Sequence, residues 1–242
     1  MKKAIIIAAI VVAVSVTCTL LVLEGCPGGL VGSGNLETET YAFADFKEVE
    51  ISSAFGFEIE QSSSYSINIT ADDNIMEYVR VSQDGQTLKI GLSRVMWLGP
   101  VTLKVSVTMP ELSGLDVSGA SRGTVSDFSS AEDLDIMVSG ASRVTGDITA
   151  GNVDFDISGA STIQLEGSAS DMVADVSGAS SFKLDDFTVN NANVDFSGAS
   201  SGTINLNGRL DADVSGASRL WYIGEPTMGT IDTSGASTLS KK

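Results

Sequence analysis

Histidine is missing altogether from this sequence of 242 residues, and cysteine occurs only at Cys18 and Cys26. A serine nucleophile needs a base beside it, and no imidazole exists here to supply one. Beyond residue 26 no disulfide can form, even in a compartment that permits one. Stability must come from stacked apolar side chains and sheet hydrogen bonds. Cations are also scarce. Lys and Arg number 14 against 31 Asp and Glu, a net charge of −17 with a pI near 4.1. Nucleic-acid binding needs clustered cations on the phosphates, so no nucleic-acid partner is expected. The acidic balance suits an exported domain, or one that attracts cations.

What the sequence has in plenty is one phrase. Ser-Gly-Ala-Ser begins at Ser118, Ser139, Ser158, Ser177, Ser197, Ser215 and Ser234, at intervals of 21, 19, 19, 20, 18 and 19 residues. A period this regular marks a chain that coils and stacks on itself. One residue before the phrase stand Val117, Val138, Ile157, Val176, Phe196, Val214 and Thr233. Three before it stand Leu115, Ile136, Phe155, Ala174, Val194, Ala212 and Ile231. This alternation predicts a strand with one buried face. Val144, Ile163, Phe182, Leu220 and Leu239 begin a second strand after the phrase. Turn signals follow at Gly146-Asp147, Gly167, Asp185-Asp186, Asn207-Gly208 and Gly224-Glu225-Pro226, and a third short strand is expected to lead into the next unit. Two or three strands per unit leave no room for an ordinary helix. The expected fold is all-β: a right-handed parallel β-helix-like solenoid of about seven coils of 18–21 residues, with an N-terminal β-rich segment that caps or continues the stack.

The glycines of the phrase are Gly119, Gly140, Gly159, Gly178, Gly198, Gly216 and Gly235. They permit a bend or a positive φ at one corner. The alanine is expected to tuck inside that corner, and the flanking serines to form hydroxyl ladders between coils. Seven copies make no sense as a nucleophile motif. The position two before the phrase holds Asp116, Met137, Asp156, Asp175, Asp195, Asp213 and Asp232. Stacked carboxylates about 5 Å apart repel by roughly 0.8 kcal/mol in water and roughly 3 kcal/mol at an effective dielectric of 20, so the column must be wet or neutralised. A wet acidic face would keep the sheet soluble. Alternatively, the six aspartates are a candidate Ca²⁺ ladder, although their spacing matches no established calcium loop. Arg122, Arg143 and Arg219 follow the phrase in three coils; they could recognise carboxylates or neutralise the Asp column. Trp221 and Tyr222 could stack on a sugar, or form a lid over the core's end.

Residues 1–25 read as a signal or membrane-anchor segment: Lys2 and Lys3 precede twenty uncharged residues, Ala4 to Leu23. Leu23-Glu24-Gly25-Cys26 resembles a bacterial lipobox with an atypical Glu24, which makes Cys26 the candidate for lipidation. An uncleaved anchor, a lipid anchor and a simple cleaved signal all send residues 35–242 across the membrane. Residues 26–35 read as a tether. Residues 36–112 form an N-terminal β-rich part, with a hairpin at Asp84-Gly85 and a worn copy of the repeat phrase at Ile51-Ser52-Ser53-Ala54. Residues 113–242 form the repeat solenoid, whose terminal lysines discourage end-to-end association.

The Asp-Val-Ser-Gly-Ala-Ser units at Asp116–Ser121, Asp175–Ser180 and Asp213–Ser218 resemble a bacterial family, the "putative auto-transporter adhesin, head GIN domain". The Phe46–Glu58 stretch and the Asp84–Ile90 hairpin are similar to that family's N-terminal part. The resemblance implies an exported all-β domain shaped like pectin-lyase folds, with no demonstrated activity and no catalytic residues to carry over. The expected function is a membrane-tethered module with a structural or adhesive role, binding a surface glycan or protein, without a cofactor. The alternatives are a polysaccharide-active enzyme using Asp154/Asp156 or Asp211/Asp213 as a carboxylate pair, and a Ca²⁺-binding envelope protein.

Overall fold

A computed structural model describes residues 29–93 and 98–242. The leader, Cys18, Cys26 and Trp97 lie outside the described residues. The N-terminal part runs β1 (Leu36–Tyr41), β2 (Glu48–Ile51), β3 (Gly56–Gln61), β4 (Ser66–Asp72), one helical turn α1 (Asp73–Met76), β5 (Val79–Asp84), β6 (Thr87–Leu92) and β7 (Leu103–Met109). The repeats follow as pairs of strands: β8 (Gly114–Val117) with β9 (Arg122–Ser129), β10 (Leu134–Val138) with β11 (Arg143–Thr149), and β12 (Val153–Ile157) with β13 (Thr162–Ser168). Then come β14 (Asp171–Val176) with β15 (Ser181–Val189), β16 (Asn191–Phe196) with β17 (Ser201–Leu206), β18 (Arg209–Val214) with β19 (Arg219–Ile223), and β20 (Thr227–Thr233) with β21 (Thr238–Lys241).

Each coil therefore gives two strands, one to a ten-stranded sheet and one to an eleven-stranded sheet. The molecule is a two-sheet β-solenoid, and among the described residues no third strand forms. Gly146-Asp147, Gly167 and Asp185-Asp186 read as turns by composition, yet they lie inside β11, β13 and β15. The register there slips instead, as between Gln164 and Glu166. A bulge absorbs the extra residue without ending the strand. Asn207-Gly208 and Gly224-Glu225-Pro226 do separate strands.

The core sits between the sheets. In β12, Val153, Phe155 and Ile157 are buried while Asp154 and Asp156 are exposed. Phe155 from one sheet meets Phe182 from the other edge-on at 5.0 Å, and Phe182 meets Phe196 at 5.9 Å, a geometry aromatic rings favour. Gly202 lies directly beside Phe182 in the ladder. A Cβ there would stand 2.7 Å from the Phe196 ring, so its absence makes room for that ring.

The phrase turns the corner from one sheet to the other. Gly119, Gly140, Gly159, Gly178, Gly198, Gly216 and Gly235 all have φ between +63° and +75°. The bend expected of them is therefore present in every coil. A second constraint acts at the same place, the backbone of the coil below. A Cβ on Gly159 would lie 2.4 Å from Gly140 O, one on Gly198 2.5 Å from Gly178 O, and one on Gly235 2.7 Å from Gly216 O. Only at Gly140 is the fit looser, with Gly119 N at 3.3 Å. The crowding carbonyl accepts a hydrogen bond from the next alanine, as in Ala160 N to Gly140 O and Ala179 N to Gly159 O at 2.8 Å, and Ala236 N to Gly216 O at 2.7 Å. The ladder at the corner is thus made by backbone, not by hydroxyls. The alanines at positions 141, 160, 179, 199 and 217 are exposed, and the second serine of each phrase turns inward instead. Ser121, Ser142, Ser161, Ser180, Ser200 and Ser218 are all buried. Ser200 Oγ donates to Ser197 O at 2.9 Å, whereas the hydroxyls of Ser121, Ser142, Ser161, Ser180 and Ser218 have no partner among the described residues.

The N-terminal part both continues the stack and ends it. β2 pairs in parallel with β8, and β3 with β9. Ile51-Ser52-Ser53-Ala54 occupies the corner, with Ala54 N donating to Gly119 O at 2.9 Å. β6 and β7 form a further coil on the other side of β2 and β3. Stacking order therefore departs from chain order here. β4 and β1 then extend one sheet antiparallel, and β5 closes the other. Asp72 is buried and accepts from Gly34 N at 2.8 Å and Thr102 N at 2.7 Å, pinning the residues before β1 to this end. At the opposite end, Lys241 pairs with Glu225 and Lys242 with Asp185.

Candidate functional site

Stacking in register converts each repeat position into a column on one of two outer faces. On the ten-stranded sheet, Glu50, Asp116, Met137, Asp156, Asp175 and Asp195 are successive partners, and Asp213 and Asp232 complete the file. Met137 is 50% exposed, which places the whole column on the outside. A second file two residues upstream contains Asp135, Asp154, Val173, Asn193 and Asp211. Burial and then the carboxylates of Glu50 and Asp156 push the Asp116 carboxyl up. Burial and then Asp135, Asp175 and Asp156 do the same to Asp154, and burial with Asp213 and Asp175 to Asp195. Asp211 goes the other way: Arg209 grips it through Nε at 2.6 Å and a second guanidinium nitrogen at 2.8 Å, holding its carboxyl far below the usual range. Asp154/Asp156 and Asp211/Asp213 are each neighbours on one strand and belong to these files. Among the described residues no three acidic side chains converge in a way that could hold a metal ion.

The arginines depart from expectation. Arg122, Arg143 and Arg219 begin β9, β11 and β19 and stand on the eleven-stranded sheet, across the core from the Asp column. They cannot neutralise it, because the corner between them turns the chain onto the other face. They occupy their own column. Reading outward from Arg143, its members are Arg122, Gly56, Lys104, Thr70 and Thr38. In the other direction come Thr162, Ser181, Ser201, Arg219 and Thr238. All eleven strands contribute, and none contributes an acid. Among the described residues, no ion pair or hydrogen bond engages the charged ends of Lys104, Arg122, Arg143 or Arg219. Where Gly56 interrupts the column a hollow of about 500 Å³ opens between Lys104 and Arg122.

Trp221 and Tyr222 do not cover the end of the core. They lie in β19, which β21 covers in turn. Tyr222 packs against the core, while Trp221 alternates with it and sits in the column beside Arg219, between Thr203 and Ser240. Sequence reasoning missed Lys104 and Gly56, since neither carries the repeat. The signal available was the hairpin at Asp84-Gly85, which sets β6 but not the coil it stacks on.

A family model described as "Putative auto-transporter adhesin, head GIN domain" matches residues 45–226. The chain belongs to this family. Solved structures share the head GIN fold. One described as a putative adhesin from Bacteroides fragilis is 21% identical, with a TM-score of 0.80 over 88% of this chain and 100% of its own. A putative adhesin from Parabacteroides merdae is 20% identical, with a TM-score of 0.69 over 88% and 98%. A structure from Parabacteroides distasonis, described as a putative lipid binding protein, is 21% identical with a TM-score of 0.70 over 88% and 99%. No curated protein matches. Membership of an adhesin-like family points to a cell-surface or extracytoplasmic head GIN protein. Among the described residues no helix is long and apolar enough to cross a membrane.

Proposed function

We propose that this head GIN domain is a non-catalytic adhesive or structural module, displayed outside the cell and tethered by its N-terminal segment. The observation that carries this reading is registered repetition. The outward-facing side chains recur strand after strand on the two outer faces, so the surface offers many similar weak contacts in place of one tuned constellation. Such an array suits multivalent attachment, in which avidity grows with the number of contacts engaged. The family description supports the same reading. Attachment rests on the leader: the uncharged run after Lys2-Lys3 holds the chain as an anchor, or Cys26 carries lipid.

The test combines two treatments of the same cells. A fatty-acid analogue reports whether Cys26 is acylated, and Cys26→Ser is the control. Protease added to whole cells is expected to remove residues beyond 35 and leave cytoplasmic markers intact. Deleting the gene is expected to lower surface attachment. Full protection from protease would sink the display reading, and unchanged attachment would sink the adhesive one. Release of reducing ends from acidic or neutral glycans by the purified protein would overturn the non-catalytic assignment.

A further inference from the structure

We infer that the Lys104–Arg122–Arg143–Arg219 column is a binding track for an acidic polysaccharide that lies along the solenoid axis across the eleven-stranded sheet. This deepens the adhesive reading above and rests on it for its biological setting. Three independent features of the molecule converge here. The chain carries 31 acids, yet a column spanning eleven strands holds four cations and none of them. Arg122 and Arg143 are direct partners on adjacent parallel strands, so their like charges face each other about 4.8 Å apart at the backbone. No described residue forms an ion pair with either guanidinium, and an anion seated between them would relieve the repulsion. Finally, Gly56 deletes a side chain between two cations and leaves a floor. The walls of that hollow carry Asn68, Thr70, Ser106 and Thr124, with Glu58 at one side.

The chemistry selects the class of ligand. Guanidinium groups bind carboxylate and sulfate oxygens in pairs. The hydroxyls of Thr162, Ser181 and Ser201 between Arg143 and Arg219, and the amide of Asn68, match sugar hydroxyls. From Lys104 to Arg219 the track covers seven strand steps, about 34 Å at the usual strand spacing, which calls for a polymer. An extended peptide gains its affinity by adding to a free strand edge, but β3, β9 and β11 are paired on both sides. Trp221, in the column beside Arg219, offers an aromatic face at the far end.

The experiment uses full-length protein in mild detergent and three fluorescent probes: oligogalacturonate with carboxylates only, a chondroitin sulfate oligosaccharide with sulfate esters as well, and uncharged maltoheptaose. At least one acidic probe is expected to bind, weakening as salt rises, while maltoheptaose does not. The two acidic probes distinguish carboxylate from sulfate recognition. Arg122→Ser with Arg143→Ser is expected to weaken binding roughly tenfold or more. Gly56→Val keeps every charge and fills the hollow. Its Cβ would meet only Leu103 O at 3.6 Å and Arg122 O at 4.0 Å, ordinary van der Waals contacts; an unchanged melting curve would confirm the fold, and the variant should also weaken binding. Asp195→Asn, on the opposite face, should not. The track is overturned if neither acidic probe binds, if maltoheptaose binds equally, or if the arginine and glycine variants bind like the parent. It is also overturned if anionic phosphatidylglycerol vesicles bind while the glycans do not. Salt-sensitive self-association lost in the arginine variants, without glycan binding, would assign the column to the acidic face of a second copy instead. Intact glycan binding with unchanged cell attachment after gene deletion would remove the adhesive role and leave the track; the converse would remove the track alone.

Discussion

The two outer faces of the solenoid are built from the same repeat, and the columns that flank the corner on either face carry opposite chemistry. Residues before the Ser-Gly-Ala-Ser corner make a ten-stranded face lined with Asp116, Asp156, Asp175 and Asp195. Residues just past the corner make an eleven-stranded face whose first column holds cations and hydroxyls and no acid. On the acidic face burial, and after it the neighbouring carboxylates, push Asp116, Asp154 and Asp195 toward the protonated form. Its few cations are already used: Lys89 lies 3.7 Å from Glu50, and Arg209 holds Asp211. The four cations of the other column have no such partner among the described residues. The corner therefore separates the aspartate column from the cation column as well as bending the chain, although Glu58, Glu60 and Glu166 stand farther along the strands of the cation-bearing face.

The sharpest way to break this division is at the corner itself. Gly198→Val should cost roughly 3 kcal/mol or more, because it meets both a positive φ and the backbone of the coil below. Loss of the cooperative urea transition would show it, and wild-type stability would mean that the corner does not set the register. The shared core ranks next. Phe155→Ala should destabilise by about 3–5 kcal/mol, read from the same urea midpoint, and weaken both faces alike.

Smaller effects separate the faces. The folded-state pKa of Asp116, Asp154 and Asp195 lies above the unfolded value, so folding penalises their ionised form. That penalty is full above the folded pKa and is relieved as pH falls through it. Stability should rise as pH drops from neutral through the carboxylate range, while the lowered Asp211 opposes this only at more acid pH. Melting curves across that range check the sign, and a stability that falls steadily from neutral pH would contradict it. Asp195→Asn should raise Tm by roughly 1–2 °C. The smallest contrast lies inside the corner. Ser161→Ala removes a buried hydroxyl without a partner and should be neutral or slightly stabilising, whereas Ser200→Ala loses a bond to Ser197 O and should cost about 1 kcal/mol.

Much of the repeat region was legible because its side chains report their own surroundings. Val153, Phe155 and Ile157 alternate with Asp154 and Asp156, and a strand buried on one face has no other way to read. The corner was legible as a bend but not in its details. Alanine and serine are both small, and which of them turns inward depends on backbone geometry that neither side chain dictates. The bulges in β11, β13 and β15 were read as turns because glycine and aspartate serve both purposes. The hollow at Gly56 was not legible at all. It forms between β7 and β9, from segments whose stacking order is not their chain order.

By itself the sequence determined the period, the strand that precedes each corner, the position of the glycines and the acidity of one column, because each follows from local alternation and repetition. Only the tertiary structure decided that there are two sheets, that the arginines stand across the core from the aspartates, and that Lys104 joins their column. Those facts depend on how far the chain turns at each corner and on which strands lie side by side, and pairing between distant segments leaves no periodic trace in the residues that make it.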